Sequence, residues 1–254
     1  MDTGWLEPKW KLPGVGALMT TRQGGVSAGP YASMNLGVSV GDDPRSVRLN
    51  RERFAQAIGA TPVWLKQVHS AQVVDLDKVS SAAEPIEADA SISTRPGVAC
   101  VVGVADCLPV LFAAPGARGV AAAHAGWRGL SGGVLENTVA ALCHATQCAP
   151  QDLHAWMGAC IGPSAFEVGP DVLQAFGADL SQPDPQRFCP QTSADGAVRW
   201  LANLPLLARD RLRAVGVGQV SGNDACTFCD AARFFSFRRD RITGRMAAAV
   251  WLRG

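Results

Sequence analysis

Apolar positions in this chain fall into short, nearly uninterrupted runs separated by glycine, proline and acidic residues. Runs at 98–104, 110–113, 119–123 and 246–252 are rich in valine, alanine and leucine and predict buried strands. Further strands are expected at 17–21, 73–76, 217–220 and 234–237, with Phe234, Phe235 and Phe237 as core residues on alternating faces. Helical spacing shows up in three places. Asp42-Asp43-Pro44 opens a helix whose Val47, Phe54 and Ile58 share one face, with Asp43 as N-cap, Pro44 at the first position and Gly59 at the end. A second helix is expected from Ser131, because Val134, Leu135, Thr138, Val139 and Leu142 recur at helical intervals and would pack back on the strand that precedes them. A third is expected over 201–214, stopping at Gly216.

Strands and helices are interspersed, with no internal repeat and no separating linker. Gln182-Pro183-Asp184-Pro185 is read as a loop. The pattern therefore predicts one α/β (α+β) domain over residues 1–254. A hydrophobic share of 48% is ample for its core. With 23 basic and 22 acidic residues the net charge is +1, so no global field recruits nucleic acid or an anionic membrane. The longest apolar region is broken by Asp106, Pro109 and Pro115-Gly116, too short for a membrane-spanning helix. Met1 to Pro8 has neither the cationic start nor the apolar centre of a signal peptide, so a soluble cytoplasmic protein is expected.

Eight cysteines in such a chain are expected to be reduced thiols, with Cys143, Cys148 and Cys189 in packing or surface roles. Cys226-Thr227-Phe228-Cys229 has the spacing of a redox motif or of half a zinc site. No second close pair of ligands accompanies it, which favours a structural role.

The chemistry concentrates elsewhere. Cys107 and His124 each follow an apolar run, and His69 closes the segment Trp64-Leu65-Lys66-Gln67-Val68-His69. Each residue alone is most simply a core side chain. Together they form a Cys-His-His set, which suits a catalytic zinc held by three protein ligands with a fourth position open. Cys107 with His124 alone would equally make a hydrolase dyad.

Around this set, Gly126-Trp127-Arg128-Gly129-Leu130-Ser131-Gly132-Gly133 runs into a helix and offers backbone N–H groups and the Arg128 charge to an anion, or simply makes a tight turn. Arg22 either meets an oxyanion or ribose, or is a solvated surface charge. Asn35 either meets a base or sugar edge, or stabilises a turn. Gln67, two residues before His69, is expected to point to the same side. Asp106 either orients a ligand or accepts a proton, or simply caps the turn between strands. Trp127 is read chiefly as a packing anchor, and Arg238-Arg239-Asp240-Arg241 as a solvated turn.

Ordered motifs along nearly the whole chain carry a resemblance. They are Thr20-Thr21-Arg22-Gln23-Gly24-Gly25-Val26-Ser27, Ser33-Met34-Asn35-Leu36-Gly37, Gln67-Val68-His69, Ala88-Asp89-Ala90, Ala105-Asp106-Cys107-Leu108-Pro109-Val110 and His124-Ala125-Gly126-Trp127-Arg128-Gly129. Downstream follow Ile161-Gly162-Pro163, Phe166-Glu167-Val168-Gly169, Arg233-Phe234-Phe235-Ser236-Phe237-Arg238-Arg239-Asp240 and Gly244-Arg245-Met246. In these the chain resembles the laccase-domain proteins, also known as polyphenol oxidase-like or multicopper polyphenol oxidoreductase-like proteins and described as purine nucleoside phosphorylases. Ser70 departs from the glycine that often follows the histidine, and Cys160 from the proline or alanine common before Ile-Gly-Pro.

The resemblance implies a layered sandwich with mixed sheets between helices, similar to a cysteine-hydrolase-like fold. It implies His69, Cys107 and His124 as metal ligands, with zinc expected and copper as the alternative. The implied activities are phosphorolysis of adenosine or inosine, with purine nucleoside and phosphate as partners, and deamination of adenosine. A monomer is the expected working unit. Two alternatives are weighed beside this. A copper-dependent phenol oxidase is disfavoured because the chain has four histidines in total, His144 and His154 lying outside the motifs. A Cys107–His124 hydrolase, such as an amidase of cell-wall precursors, leaves His69 idle.

Overall fold

In a computed structural model, described over residues 4–79, 86–192 and 196–254, the chain forms thirteen strands and six α-helices among those residues. In chain order they are β1 (Val15–Met19), α1 (Pro44–Ile58), β2 (Thr61–Val63), β3 (Val73–Asp75), β4 (Ala90–Ser93), β5 (Val98–Val104), β6 (Leu108–Ala113) and β7 (Val120–Ala125). There follow α2 (Trp127–Ser131), α3 (Val134–Thr146), β8 (His154–Met157), β9 (Glu167–Val168), α4 (Pro170–Ala175), β10 (Phe188–Thr192) and β11 (Val198–Ala202). The last are α5 (Leu204–Ala214), β12 (Gln219–Gly222), α6 (Phe237–Asp240) and β13 (Met246–Leu252).

Two mixed sheets dominate, one of four strands in the order β1-β13-β5-β2 and one of six in the order β12-β8-β6-β7-β4-β3. A third, antiparallel sheet is ordered β10-β11-β9. The continuous apolar runs are explained by burial on both faces. Along β5, Cys100, Val102 and Val104 turn toward Leu111, Val120, Ala122 and Trp156 of the six-stranded sheet. The intervening Ala99 and Val101 turn the other way, onto Phe54 and Ile58 of α1. On β7, Val120 and Ala122 face the space between the sheets, whereas Ala121, Ala123 and Ala125 face Leu135, Val139 and Leu142 of α3. The order of layers is therefore α1, four strands, six strands, then α3 with α5, an α/β arrangement with mixed sheets between helices.

Helix α1 begins and ends where expected. Asp43 accepts hydrogen bonds from the backbone N–H of Arg45 and Ser46, and Gly59 closes the helix at φ 62°. Several other boundaries differ. The helix expected from Ser131 is split into α2 and α3, because Gly133 at φ 94° turns the chain between them. The helix expected from 201 starts at Leu204. Residues 198–202 are instead drawn into a strand between 188–192 and 167–168, and Asn203 caps the helix by accepting from Leu206 N–H.

The expected strand 234–237 is not one. Arg239 takes the carbonyls of Thr227, Phe228 and Phe234, while Ser236 accepts from Arg239 N–H and starts α6. Phe234 and Phe235 are buried between the sheets, but Phe237 is 47% exposed. The strand expected at 217–220 runs over 219–222, since Val217 N–H closes the end of α5 on Leu212. The strand expected at 17–21 is Val15–Met19, and the one expected at 119–123 extends to Ala125, so His124 lies inside it. No helix among the described residues is long and apolar enough to cross a membrane.

Candidate active site

Strand register brings the three reactive side chains together. Ala90 of β4 stands opposite Ala123 of β7, which sets Asp89, one residue earlier, beside His124. The Asp89 carbonyl accepts His124 N–H at 2.7 Å. Leu108 pairs with Ala125 across β6 and β7, so Cys107 arrives next to Gly126. Lys66 bridges Glu87, carrying the loop with His69 alongside.

His69, Cys107 and His124 each present a ligand atom, and these atoms lie within 4.8 Å of one another. His69 Nε2 is 3.9 Å from Cys107 Sγ, and the two imidazole rings meet edge to face with centroids 4.9 Å apart. His69 is exposed, Cys107 half-buried and His124 buried, so the cluster opens to solvent on one side. His124 Nδ1 is 2.9 Å from Asp89 Oδ1, which leaves Nε2 for the site.

Burial acts to raise the Cys107 thiol, but the adjacent His124 and His69 outweigh it and bring the group down to about 6. Burial likewise acts to lower His124, and Cys107 with Asp89 raises it to about 9. The two shifts have a common cause: each group favours the charged form of the other. Asp89, also buried, is held at about 2: desolvation is overcome by its hydrogen bonds with His124 and Ser70.

The other expected residues divide. Asp106, at φ 96°, uses its carboxylate to accept from Thr227 Oγ1 and Arg238 N–H, each at 2.7 Å, which anchors the turn carrying Cys107. Gln67 pairs its amide with both backbone groups of Gly103, at 3.0 and 2.7 Å, rather than pointing freely into the site. Asn35 is buried in a turn, bonding Gly37, Asp42 and Arg245 N–H. Arg22 lies 4.7 Å over the Phe235 ring and donates to the carbonyls of Ala32 and Ala231. Arg128 is exposed, stacked 4.2 Å over Trp127 on the five-residue α2, and makes no ion pair among the described residues. Between Cys226 and Cys229, Thr227 donates its hydroxyl to Asp106.

Two residues, Asp89 and Arg245, escaped the sequence reading as parts of the site, and Gly126 was expected there only as part of an anion-binding loop or tight turn. Asp89 stood only inside a matched motif, with no sign of its link to His124. Gly126 is packed so closely that a Cβ there would lie 2.9 Å from Cys107 Sγ and 3.0 Å from His69 Cδ2. Arg245 is near enough to Cys107 and Asp106 to be influenced by both charges. Burial nevertheless lowers its guanidinium, which donates to Thr243 and Gly244 carbonyls and carries no ion pair among the described residues.

A family model described as multi-copper polyphenol oxidoreductase laccase matches residues 16–253. A purine nucleoside phosphorylase of Pseudomonas aeruginosa is 47% identical over 249 residues, 98% of each chain. One from Escherichia coli is 47% identical over 248 residues, 96% of this chain and 97% of its own. Among solved structures, a Neisseria meningitidis protein superposes with a TM-score of 0.88 at 45% identity, covering 98% of this chain and 99% of its own. YlmD from Geobacillus stearothermophilus gives 0.86 at 33% identity over 98% and 96%.

Proposed function

The chain belongs to the multi-copper polyphenol oxidoreductase laccase family, and from that membership we propose that it is a purine nucleoside phosphorylase whose His69, Cys107 and His124 hold a catalytic metal. The observation that carries the metal reading is the convergence of three ligating atoms from three separate elements within 4.8 Å. The donor set suits zinc. Tetrahedral zinc at ordinary bond lengths holds its donors about 3.3–3.8 Å apart; His69 and Cys107 stand at 3.9 Å and all three donors within 4.8 Å, so binding draws the set together by on the order of 1 Å. A thiol already lowered to about 6 is ready to ligate as thiolate. Such a metal would supply Lewis acidity toward a substrate oxygen or water.

The chain's own groups do the rest. Asp106 fixes the turn that presents Cys107, and Gly126 leaves the ligands uncovered on one side. Arg128 and Arg245 are the cations we assign to phosphate, whereas Arg22, Asn35 and Gln67 act indirectly, holding the surrounding backbone in place. Phosphate held there would attack the anomeric carbon of the ribose and release the purine base. Deamination of adenosine at the same site is a second activity of this reading. Metal-defined protein incubated with inosine, adenosine and phosphate tests it: free base with ribose 1-phosphate is expected, and absence of both products would overturn it.

A second reading rests on one observation, the Cys107–His124–Asp89 order of thiol, imidazole and carboxylate. This is the order of groups that activates a cysteine nucleophile. A thioester trapped on Cys107 with an amide substrate would favour it. Copper oxidation of phenols is the weaker reading, since four histidines in the whole chain do not furnish a multicopper centre.

A further inference from the structure

Asp89 is completely buried, yet its carboxylate gathers five donors. Oδ1 accepts from His69 N–H at 2.9 Å and faces His124 Nδ1 at 2.9 Å. Oδ2 accepts from Val68 N–H at 3.1 Å, Ser70 N–H at 2.6 Å and Ser70 Oγ at 2.9 Å. Three successive N–H groups therefore point at one carboxylate, and the middle one belongs to a histidine held at φ 61°. A non-glycine residue in that region is disfavoured by about 1–2 kcal/mol, so the turn persists because Asp89 collects its donors.

From this geometry we infer that Asp89 is the positioning residue of the site, setting both histidines at once, His69 through its backbone turn and His124 through its ring. Resting on the metal reading above, it makes two ligands from distant segments depend on one carboxylate. Each oxygen faces donors only. An asparagine could satisfy the donors on one oxygen while turning its NH₂ against the N–H groups on the other, so even this isosteric change cannot preserve both histidines. Ser70 contributes a hydroxyl where a glycine residue would contribute none, and so ties the His69 turn to Asp89 more tightly.

The test compares the full chain with Asp89→Asn and Ser70→Ala, each stripped of metal. Three quantities are measured: Zn²⁺ affinity by chelator competition, the Co²⁺ visible spectrum, and hydrogen exchange at residues 68–70. Asp89→Asn is expected to weaken Zn²⁺ binding roughly tenfold to hundredfold, to change the Co²⁺ band shape, and to lose protection at 68–70 while the β5 and β13 amides stay protected. Ser70→Ala should show the same changes in weaker form, and it carries the test if Asp89→Asn fails to fold. Unchanged Zn²⁺ affinity, Co²⁺ spectrum and exchange would overturn the inference. If the wild type itself binds neither ion, the metal reading fails. Asp89 is then judged by exchange alone, where retained protection at 68–70 in the variants would overturn its role and lost protection would support it.

Discussion

Gly126 stands directly against Cys107. A methyl group on its α-carbon would lie 2.9 Å from Sγ and 3.0 Å from His69 Cδ2. Its backbone, at φ −67°, is one any residue can adopt, so alanine there is opposed by contact alone and not by conformation. Overpacking of this kind costs about 1–3 kcal/mol, a loss of roughly tenfold to hundredfold when it falls on binding. Gly126→Ala is expected to weaken Zn²⁺ binding and phosphorolysis to that extent. Its thermal midpoint without metal should also fall, by a few degrees, because the same contacts are present there; calorimetry beside a metal titration checks both.

Cysteine reactivity should follow the local charges. Burial raises Cys100 to about 12 and also pushes Cys160 up, whereas Cys107 sits at about 6 beside two imidazoles. In metal-free protein, iodoacetamide labelling of Cys107 should rise with pH through about 6 and level off by pH 7. Cys100 and Cys160 should stay unlabelled. Peptide mapping reads this directly, and Zn²⁺ added beforehand should protect Cys107.

Acid stability gives a further check. Asp89 is lowered from its ordinary value to about 2, so its contribution to folding is complete above the unfolded value near 4 and is lost as pH falls through about 2. Urea midpoints of metal-free protein measured from pH 5 to 2 should therefore fall, and Asp89→Asn should flatten that part of the slope.

Buried Asn50 holds the segment that carries Arg22 and Asn35. It donates to Ser27 Oγ, Ser33 O and Asn35 O and accepts from Val26 N–H. Asn50→Ala leaves several of these groups unpaired away from water and should cost about 2–4 kcal/mol. The thermal midpoint should fall by roughly 5–15 °C.

How much of this was legible in the sequence depends on what kind of contact is at stake. The α1 caps, the strands that are buried on both sides and the Cys-His-His set follow from local pattern and residue chemistry, and so they were readable. Asp89 was not, because its partnership with His124 exists only through the β4–β7 register, across 35 positions. The β11 strand lost to an apparent helix for a similar reason: its pairing with residues 188–192 overrides local propensity, and Asn203 then restarts the helix. Gln67 has the spacing of a site residue, but the free backbone of Gly103 captures its amide. Phe237 continues an apolar run and still ends exposed, because Ser236 caps a helix one residue before it.

The central claim is that one Cys-His-His metal site performs phosphorolysis, and Cys107→Ala tests it most directly. Bound zinc and phosphate-dependent release of hypoxanthine from inosine should be measured on the same preparation of the folded variant. Loss of both together is the predicted result. A variant that holds no metal yet still releases hypoxanthine and ribose 1-phosphate at the wild-type rate would contradict the account.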